Sequence, residues 1–178
     1  MKTQIKISLR MEEIINKVQQ SGLIQIDLES FRPKGERVFF DIAPQLYMGL
    51  ALREKDFRAF VQNHDWQQYA SKHVAIGCST DAIIPTWAYM LLSSQLSPIA
   101  STVHFGTLMD LENQLYQTMI QNLDIAPYED GKVVVKGCSK EAVPTDAYVA
   151  LTNRLRPIAR SIFFGEPCST VPLYKKAR

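Results

Sequence analysis

The chain contains two copies of one cysteine-bearing segment. Residues 74–106 align with residues 134–165 when a single one-residue gap is opened, and sixteen of the thirty-two aligned pairs are identical. The identities include the Gly-Cys-Ser turns at Cys78 and Cys138, and a third cysteine, Cys168, lies near the carboxyl terminus. Two copies are too few for a solenoid. The repeat therefore predicts a duplicated building block inside one fold.

Each copy is predicted to form a strand, a turn, a helix, a turn and a second strand. A short β-branched run ends at glycine before each cysteine, as in a strand that leads into a tight turn. Pro85 and Pro144 open the helices, and the apolar positions that follow have helical spacing. A longer amphipathic helix joins the copies, so a β-α-β-α-β-α-β order begins at His73. This order predicts an α/β fold in which internally duplicated β-α-β units form a largely parallel or mixed sheet flanked by helices.

The length and composition predict a single domain over residues 1–178. Hydrophobic residues make up 46% of the 178 positions, which is enough for one core. Residues 1–70 are predicted to be an N-terminal α/β extension packed on that core, because no part of them has a linker composition. Its predicted elements are a helix near 11–20, strands near 23–28 and 37–42, and a helix near 55–63.

The charge balance and the hydropathy argue against two classes of partner. Twenty basic and eighteen acidic residues are spread along the chain, so no nucleic-acid-binding surface is expected. No apolar run is long enough to cross a bilayer, and the amino end is unlike a secretory signal peptide. An odd number of cysteines fits a reducing compartment better than a disulfide framework. We therefore expect a cytoplasmic protein without nucleic-acid or membrane partners.

The three cysteines are predicted to meet at one edge of the sheet. Turns that follow parallel strands emerge together at the carboxyl edge, where α/β proteins bind ligands. Cys78 and Cys138 each follow a strand, and Cys168 follows the last predicted strand, at 161–166. Four further metal-ligand candidates lie near a cysteine or late in a strand: Asp81, Glu141, Glu166 and His104. Such thiolates, carboxylates and imidazoles are ligands of zinc, and thiolates hold iron–sulfur clusters.

Three interpretations of the cysteines stay open. The first is a metal-binding accessory protein that holds zinc, iron or an iron–sulfur cluster on Cys78, Cys138 and Cys168. The second is a thiol enzyme or persulfide carrier in which helix N-terminal amides lower the thiol pKa of a nucleophilic Cys78 or Cys138. The third is a structural or interaction module with buried cysteines. Since the spacing is unlike the CxxC pairs of zinc ribbons, it does not choose among them, and whether the chain is an enzyme is uncertain.

Other polar and aromatic residues are predicted to be structural. His64 and His73 have no partner at metal-ligand spacing and are expected at the surface. Trp66, Trp87 and Tyr89 are expected in the core. No Gly-rich phosphate loop, GxSxG elbow or HExxH motif occurs, so the enzyme classes that depend on them are set aside.

Four segments together resemble an uncharacterised bacterial family. They are VFFDIAPQLYMGLALREKDFRAF, DAIIPTWAYMLL, VVVKGCS and IFFGEPCSTVPLYKK, and the similarity extends from about Leu23 to Lys176. The family is the domain of unknown function 2480, found mainly in Bacteroidetes, and it carries no established activity. Its members tend to be encoded beside genes for iron–sulfur cluster assembly. The resemblance therefore implies iron–sulfur assembly proteins as partners, and a homo-oligomer is left open.

Overall fold

The computed structural model describes residues 22–137, 142–166 and 169–177, which form two compact α/β units. The continuous unit comprises Pro33–Tyr116, and the split unit comprises Met1–Arg32 and Gln117–Arg178. The strands described are β1 (Leu23–Ile26), β2 (Arg37–Asp41), β3 (His73–Gly77), β4 (Thr102–Phe105), β5 (Lys132–Val135), β6 (Ser161–Glu166) and β7 (Ser169–Lys175). The helices described are α1 (Glu54–Asn63), α2 (Thr86–Leu96), α3 (Leu108–Asn122) and α4 (Thr145–Leu155).

The continuous unit has a three-stranded parallel sheet in the order β2-β3-β4. Its central strand β3 is buried along its whole length, as expected for a strand with neighbours on both sides and cover on both faces. Val74 and Ile76 point into the larger apolar cluster, whereas Ala75, between them, packs with Leu111 and Leu115 of α3. Because successive side chains of a strand point to opposite faces, the sheet has apolar cover on both faces.

Helix α2 packs against the larger apolar cluster of this unit through the apolar positions that were predicted from their helical spacing. Ala88, Leu92 and Leu96 are each completely buried. Pro85 is the N-cap residue of the helix, and its extended φ and ψ angles fit a position just outside the first turn. The same cluster includes residues of α1, so two helices cover this face of the sheet.

The split unit repeats this arrangement and adds one strand. Its sheet has the order β1-β5-β6-β7, in which β1, β5 and β6 are parallel and β7 is antiparallel to β6. Strand β7 was not predicted, because Pro172 interrupts its pattern and proline cannot donate to a ladder. In the structure Pro172 lies on an outer strand opposite Phe163, beside a register shift at Ile162. Pro144 caps α4, whose inward positions Ala147, Leu151 and Leu155 are buried.

The structural repeat begins earlier than the sequence repeat. A helix and a short 3-10 helix precede β3 and β5 in the same way, at Trp66–Tyr69 and at Ala126–Tyr128. Three pairs of residues have matching roles there: Asn63 and Asn122 bond to the carbonyl four residues back, Asp65 and Asp124 accept from the amide two residues on, and Tyr69 and Tyr128 are buried. The duplicated element is therefore a helix, a 3-10 helix, a strand, a helix and a strand.

The α/β class, the flanking helices and the largely parallel pairing are confirmed, but the expectation of one continuous sheet was wrong. Each copy instead forms its own sheet, in which one outer strand comes from the N-terminal region: β1 pairs with β5, and β2 pairs with β3. The predicted strands near 23–28 and 37–42 and the helix near 55–63 are present. The helix predicted near 11–20 lies outside the described residues. A single domain over residues 1–178 stays a prediction.

Candidate functional site

The carboxyl edge of the β2-β3-β4 sheet is organised by Asp41, the last residue of β2. Its Oδ1 accepts hydrogen bonds from the Ser79 amide and the Ala43 amide, each at 2.9 Å, and its Oδ2 accepts one from Ser79 Oγ at 2.6 Å. One carboxylate thus binds both the turn after β3 and the first amide of the 3-10 helix Ala43–Gln45, which follows β2. The first copy of the cysteine turn is fixed by this aspartate, which the sequence interpretation missed.

The hydrogen bonds to Asp41 favour its charged form. Burial raises the pKa of Asp41, but the hydrogen bonds from Ser79 and from the Ala43 amide outweigh it and hold the pKa below its ordinary value of 3.8. Asp41 therefore contributes stability that is present above the unfolded-state pKa. That contribution is lost as the pH falls through the lower pKa of the folded state.

Substituting Asp41 with asparagine is expected to lower the free energy of unfolding by about 1–2 kcal/mol at pH 7, because hydrogen bonds to a carboxylate are stronger than those to an amide. The difference from the wild type should shrink when unfolding is repeated below about pH 4. Urea unfolding at both pH values measures it. Asp65→Asn is the control, since Asp65 is exposed and accepts one described backbone bond, from Gln67. Equal losses in the two variants would contradict the role given to Asp41.

Cys78 lies in the turn that Asp41 fixes and is half-buried against the larger apolar cluster. Its Sγ is 3.3 Å from Thr80 Oγ1. Helix α2 begins only at Thr86, so the helix amides expected to activate the thiol do not directly follow the Cys-Ser turn. These surroundings are typical of a small packing residue.

The structure describes only part of the predicted metal site. Cys138, Glu141 and Cys168 lie outside the described residues. Asp81 is exposed, and His104 is half-buried on β4 opposite Ala75, whose side chain belongs to the α3 cluster. Within residues 22–137, 142–166 and 169–177, no three histidine, cysteine, aspartate or glutamate side chains are grouped so that they could hold a metal ion. The metal site with its seven ligands stays a prediction.

The two sheets change the geometric argument for a shared cysteine site. Cys78 follows β3 in the continuous unit, whereas Cys138 and Cys168 follow β5 and β6 in the split unit. Only the last two cysteines follow neighbouring parallel strands of one sheet, in which Val135 lies beside Phe164. The argument from a common sheet edge therefore applies to Cys138 and Cys168, and it does not include Cys78.

The same edge of the split unit carries an ion pair that the sequence interpretation missed. Lys136 Nζ donates to Asp27 Oδ2 at 3.0 Å, and this hydrogen bond raises the pKa of Lys136. Asp27 also accepts from the Glu29 amide and so begins a 3-10 helix after β1, much as Asp41 does after β2. An aspartate directly after a β-branched or aromatic run is the sequence signal that both positions share. Glu166 ends β6 and adds negative potential near Lys136.

Four large apolar side chains form an exposed surface on the continuous unit, here called the apolar patch: Tyr47, Met48, Leu50 and Ile83. Their exposed fractions are 48%, 77%, 73% and 92%. Two isolated bridges join the loops that carry them, since Ala51 pairs with both Tyr47 and Ile83. Met48 has a φ of 51°, which is uncommon for a residue with a side chain. The patch follows the carboxyl ends of β2 and β3 in the chain, so it belongs to the same loops as the Asp41 turn.

The histidines that were predicted at the surface have structural positions. His73 is 6% exposed, and its Nε2 donates to the Lys34 carbonyl at 2.8 Å while Nδ1 bonds Thr102 Oγ1. His64 is half-buried beside Trp66, with ring centroids 4.6 Å apart, and burial lowers its pKa although Asp65 opposes the shift. The prediction that both histidines lie at the surface was wrong. Ring contacts and hydrogen bonds to the main chain bury them, and such contacts leave no pattern in the sequence from which burial could be predicted. Trp66, Trp87 and Tyr89 pack partly buried against the core, as predicted.

No helix in the described part of the chain has the length and apolar character needed to span a membrane.

Comparisons with known proteins identify a family of unknown function. No curated protein and no solved structure matches the sequence. The model of the family described as protein of unknown function (DUF2480) matches residues 12–176. The chain therefore belongs to the DUF2480 family, as its cysteine-bearing segments suggested.

Proposed function

We propose that the chain is a non-catalytic interaction module that binds an apolar segment of another protein at the apolar patch. The observation that carries the proposal is the exposure of four large apolar side chains on one bridged pair of loops. Large apolar side chains exposed together on neighbouring loops often mark interaction sites. Methionine at such a surface adapts its shape to a partner. In this proposal Cys78 is a packing residue of the supporting turn.

The charge around the patch favours a protein segment over a lipid surface. Residues 42–52 contain no charged side chain. Arg53, which follows them, forms an ion pair with Asp56 and holds its guanidinium 3.9 Å from the Tyr47 ring centroid. Loops that bind membranes usually carry several free basic residues that attract anionic headgroups. The uncharged patch matches an apolar helix or strand of a partner instead. A cytoplasmic location is part of this proposal.

A photo-cross-linking residue at Leu50 tests the proposal in the producing cell. We expect one discrete cross-linked protein that is absent when the same residue is placed at Val171, an exposed position of β7 in the split unit. The captured protein is then purified and titrated against the chain. Leu50→Glu should weaken that binding by at least about tenfold, because it buries a charge, while Val171→Glu should leave it unchanged.

Two outcomes contradict this function. One is a cross-linking pattern at Leu50 that is the same as the pattern at Val171. The other is a captured protein whose affinity for the purified chain is not altered by Leu50→Glu. Circular dichroism of each variant establishes that the fold is retained, which is expected because both side chains are exposed.

The second candidate is a metal- or cluster-handling role, favoured by the placement of β5 and β6. These neighbouring parallel strands end at one sheet edge, and Cys138 and Cys168 follow them within three residues. Zinc or an iron–sulfur cluster would take these thiolates as ligands, with Glu141 or Glu166 beside them. Iron–sulfur assembly proteins are the partners expected if the ligand is an iron–sulfur cluster. A persulfide carrier would use the same sulfurs, with Cys138 as nucleophile.

Metal analysis of protein purified anaerobically without an affinity tag separates these roles. At least about half an equivalent of zinc or iron per chain, lost in Cys138→Ser and Cys168→Ser, supports the metal role. Cys78→Ser shows whether the third cysteine takes part. For the carrier, Cys138 should be alkylated faster below pH 8 than a free thiol is. If neither bound metal nor accelerated alkylation of Cys138 is found, the interaction module is the one candidate function that remains.

A further inference from the structure

The two copies differ most at the outer edge of their third strand. In the split unit, β7 pairs antiparallel with the free edge of β6. Strand β4 is the counterpart of β6, and among the described residues no strand pairs with its outer edge. An unpaired strand edge presents N–H and C=O groups that pair readily with another strand. The duplication itself therefore favours a strand as the neighbour of this edge.

The outward-facing backbone groups of β4 are those of Val103 and Phe105. The Gly106 amide donates to the Ile76 carbonyl of β3, and alternation along the ladder assigns the bonds of His104 to β3 as well. Val103 and Phe105 therefore direct their N–H and C=O groups away from β3. The corresponding residues of β6, Ile162 and Phe164, face Tyr174 and Val171 of β7.

An uncharged slot accompanies this open edge. It has a volume of about 460 Å³ and lies between α2 and β4, lined by Met90, Ser93, Ser97, Val103 and Phe105 among others. Met90 and Phe105 are 67% and 64% exposed. In the split unit the counterpart of Ser97 is Arg156, whose guanidinium lies 3.9 Å from the Tyr174 ring centroid on β7. In the split unit, Arg156 and β7 occupy this space. In the continuous unit, Ser97 stands at the equivalent position and the space is open.

Strand β4 also lacks the features that protect exposed edges. Natural edge strands carry proline or lysine, and β7 has both Pro172 and Lys175. The residues of β4 are Thr, Val, His and Phe, so no lysine, arginine, aspartate or glutamate opposes pairing with an identical strand. A twofold axis that joins two copies of one strand makes them antiparallel, which is the direction of the β6-β7 pair.

We propose that the chain forms a homodimer by antiparallel pairing of β4 with β4 of a second copy. A twofold axis at His104 places Val103 opposite Phe105 of the partner, and the two three-stranded sheets become one six-stranded sheet. The slots beside α2 then face each other, so Met90 and Phe105 leave water. This surface is separate from the apolar patch, and the dimer does not depend on the proposed function.

A cysteine at the axis tests the pairing directly. His104→Cys places two sulfurs on a close, non-hydrogen-bonded pair, whose Cα separation of about 4.5 Å permits a disulfide. Mild oxidation should give a covalent dimer whose linked peptides both contain residue 104. Phe163→Cys is the matched control, because Phe163 is the counterpart of His104 on β6 and lies opposite Pro172. No 163–163 linkage should form.

Sedimentation of the full chain over a range of concentrations gives the second measurement. We expect Met90→Lys to raise the dimer dissociation constant by at least about tenfold, whereas Val149→Lys, at the equivalent exposed position of α4, leaves it unchanged. Phe105→Pro, which removes an outward N–H, should also weaken the dimer. A monomer at all concentrations overturns the proposal. So does a dimer that persists in Met90→Lys and yields no 104–104 linkage.

Discussion

Replacing Gly165 with alanine is expected to lower the free energy of unfolding by about 3 kcal/mol, because two penalties act at once. Gly165 has a φ of 119°, a conformation that residues with a Cβ rarely adopt. A Cβ there would also lie 2.6 Å from the carbonyl oxygen of Ser169, which is part of the backbone of β7. Neither strand can move away without losing the pairing of β6 with β7. Urea unfolding measures the loss, and hydrogen exchange should show β7 amides exchanging fastest.

Gly106 is the matched control, because it is the counterpart of Gly165 and has a φ of 132°. Its Cβ would lie 2.7 Å from Oδ2 and 2.9 Å from Cβ of Asp110, so the carboxylate must rotate and the first turn of α3 must also shift slightly. That rotation gives up the bonds from Thr107 to Asp110 at the start of α3, which we expect to cost about 1 kcal/mol beyond the backbone strain. Gly106→Ala should therefore destabilise less than Gly165→Ala. A larger loss for Gly106→Ala would show that β7 yields more easily than its pairing indicates.

The sequence predicts the interior of each copy well, because local chemistry decides it. Proline at the N-cap positions and leucine at helical spacing need no information from distant residues, and α2 and α4 lie where these signals place them. The division of the strands between two sheets, in contrast, depends on pairing between residues that are distant in the chain. Leu23 pairs with Lys132, and Arg37 pairs with His73, yet β1 and β2 are both short β-branched or aromatic runs. Nothing in either run tells which central strand it joins.

The candidate sites were also predicted only in part, because they too depend on contacts that the sequence does not reveal. The repeat singles out the cysteines, but Asp41 looks like any turn residue until its three bonds to Ser79 and Ala43 are seen. Leu50 and Ile83 are missed for the opposite reason. An apolar residue in a sequence is assigned to the core by default, so its exposure becomes visible only when the loops are folded.

The duplicated cores allow a comparison of stability between the units. Leu92 and Leu151 are counterparts in the repeat, and both are completely buried. Truncating either one to alanine removes buried methyl groups and leaves a cavity, which costs about 2–5 kcal/mol for leucine in a close-packed core. We expect both variants to lose stability within this range in urea unfolding.

Hydrogen exchange distinguishes the two variants. Leu92→Ala should accelerate the exchange of β3 amides most, because Leu92 shares its apolar cluster with Val74 and Ile76. Leu151→Ala should instead accelerate the exchange of β5 amides, whose strand has the equivalent place in the split unit. Val149→Ala, at an exposed position of α4, should change the free energy of unfolding by no more than about 0.5 kcal/mol. If each core truncation accelerated β3 and β5 equally, the units would open together and the predicted single domain would be the cooperative element.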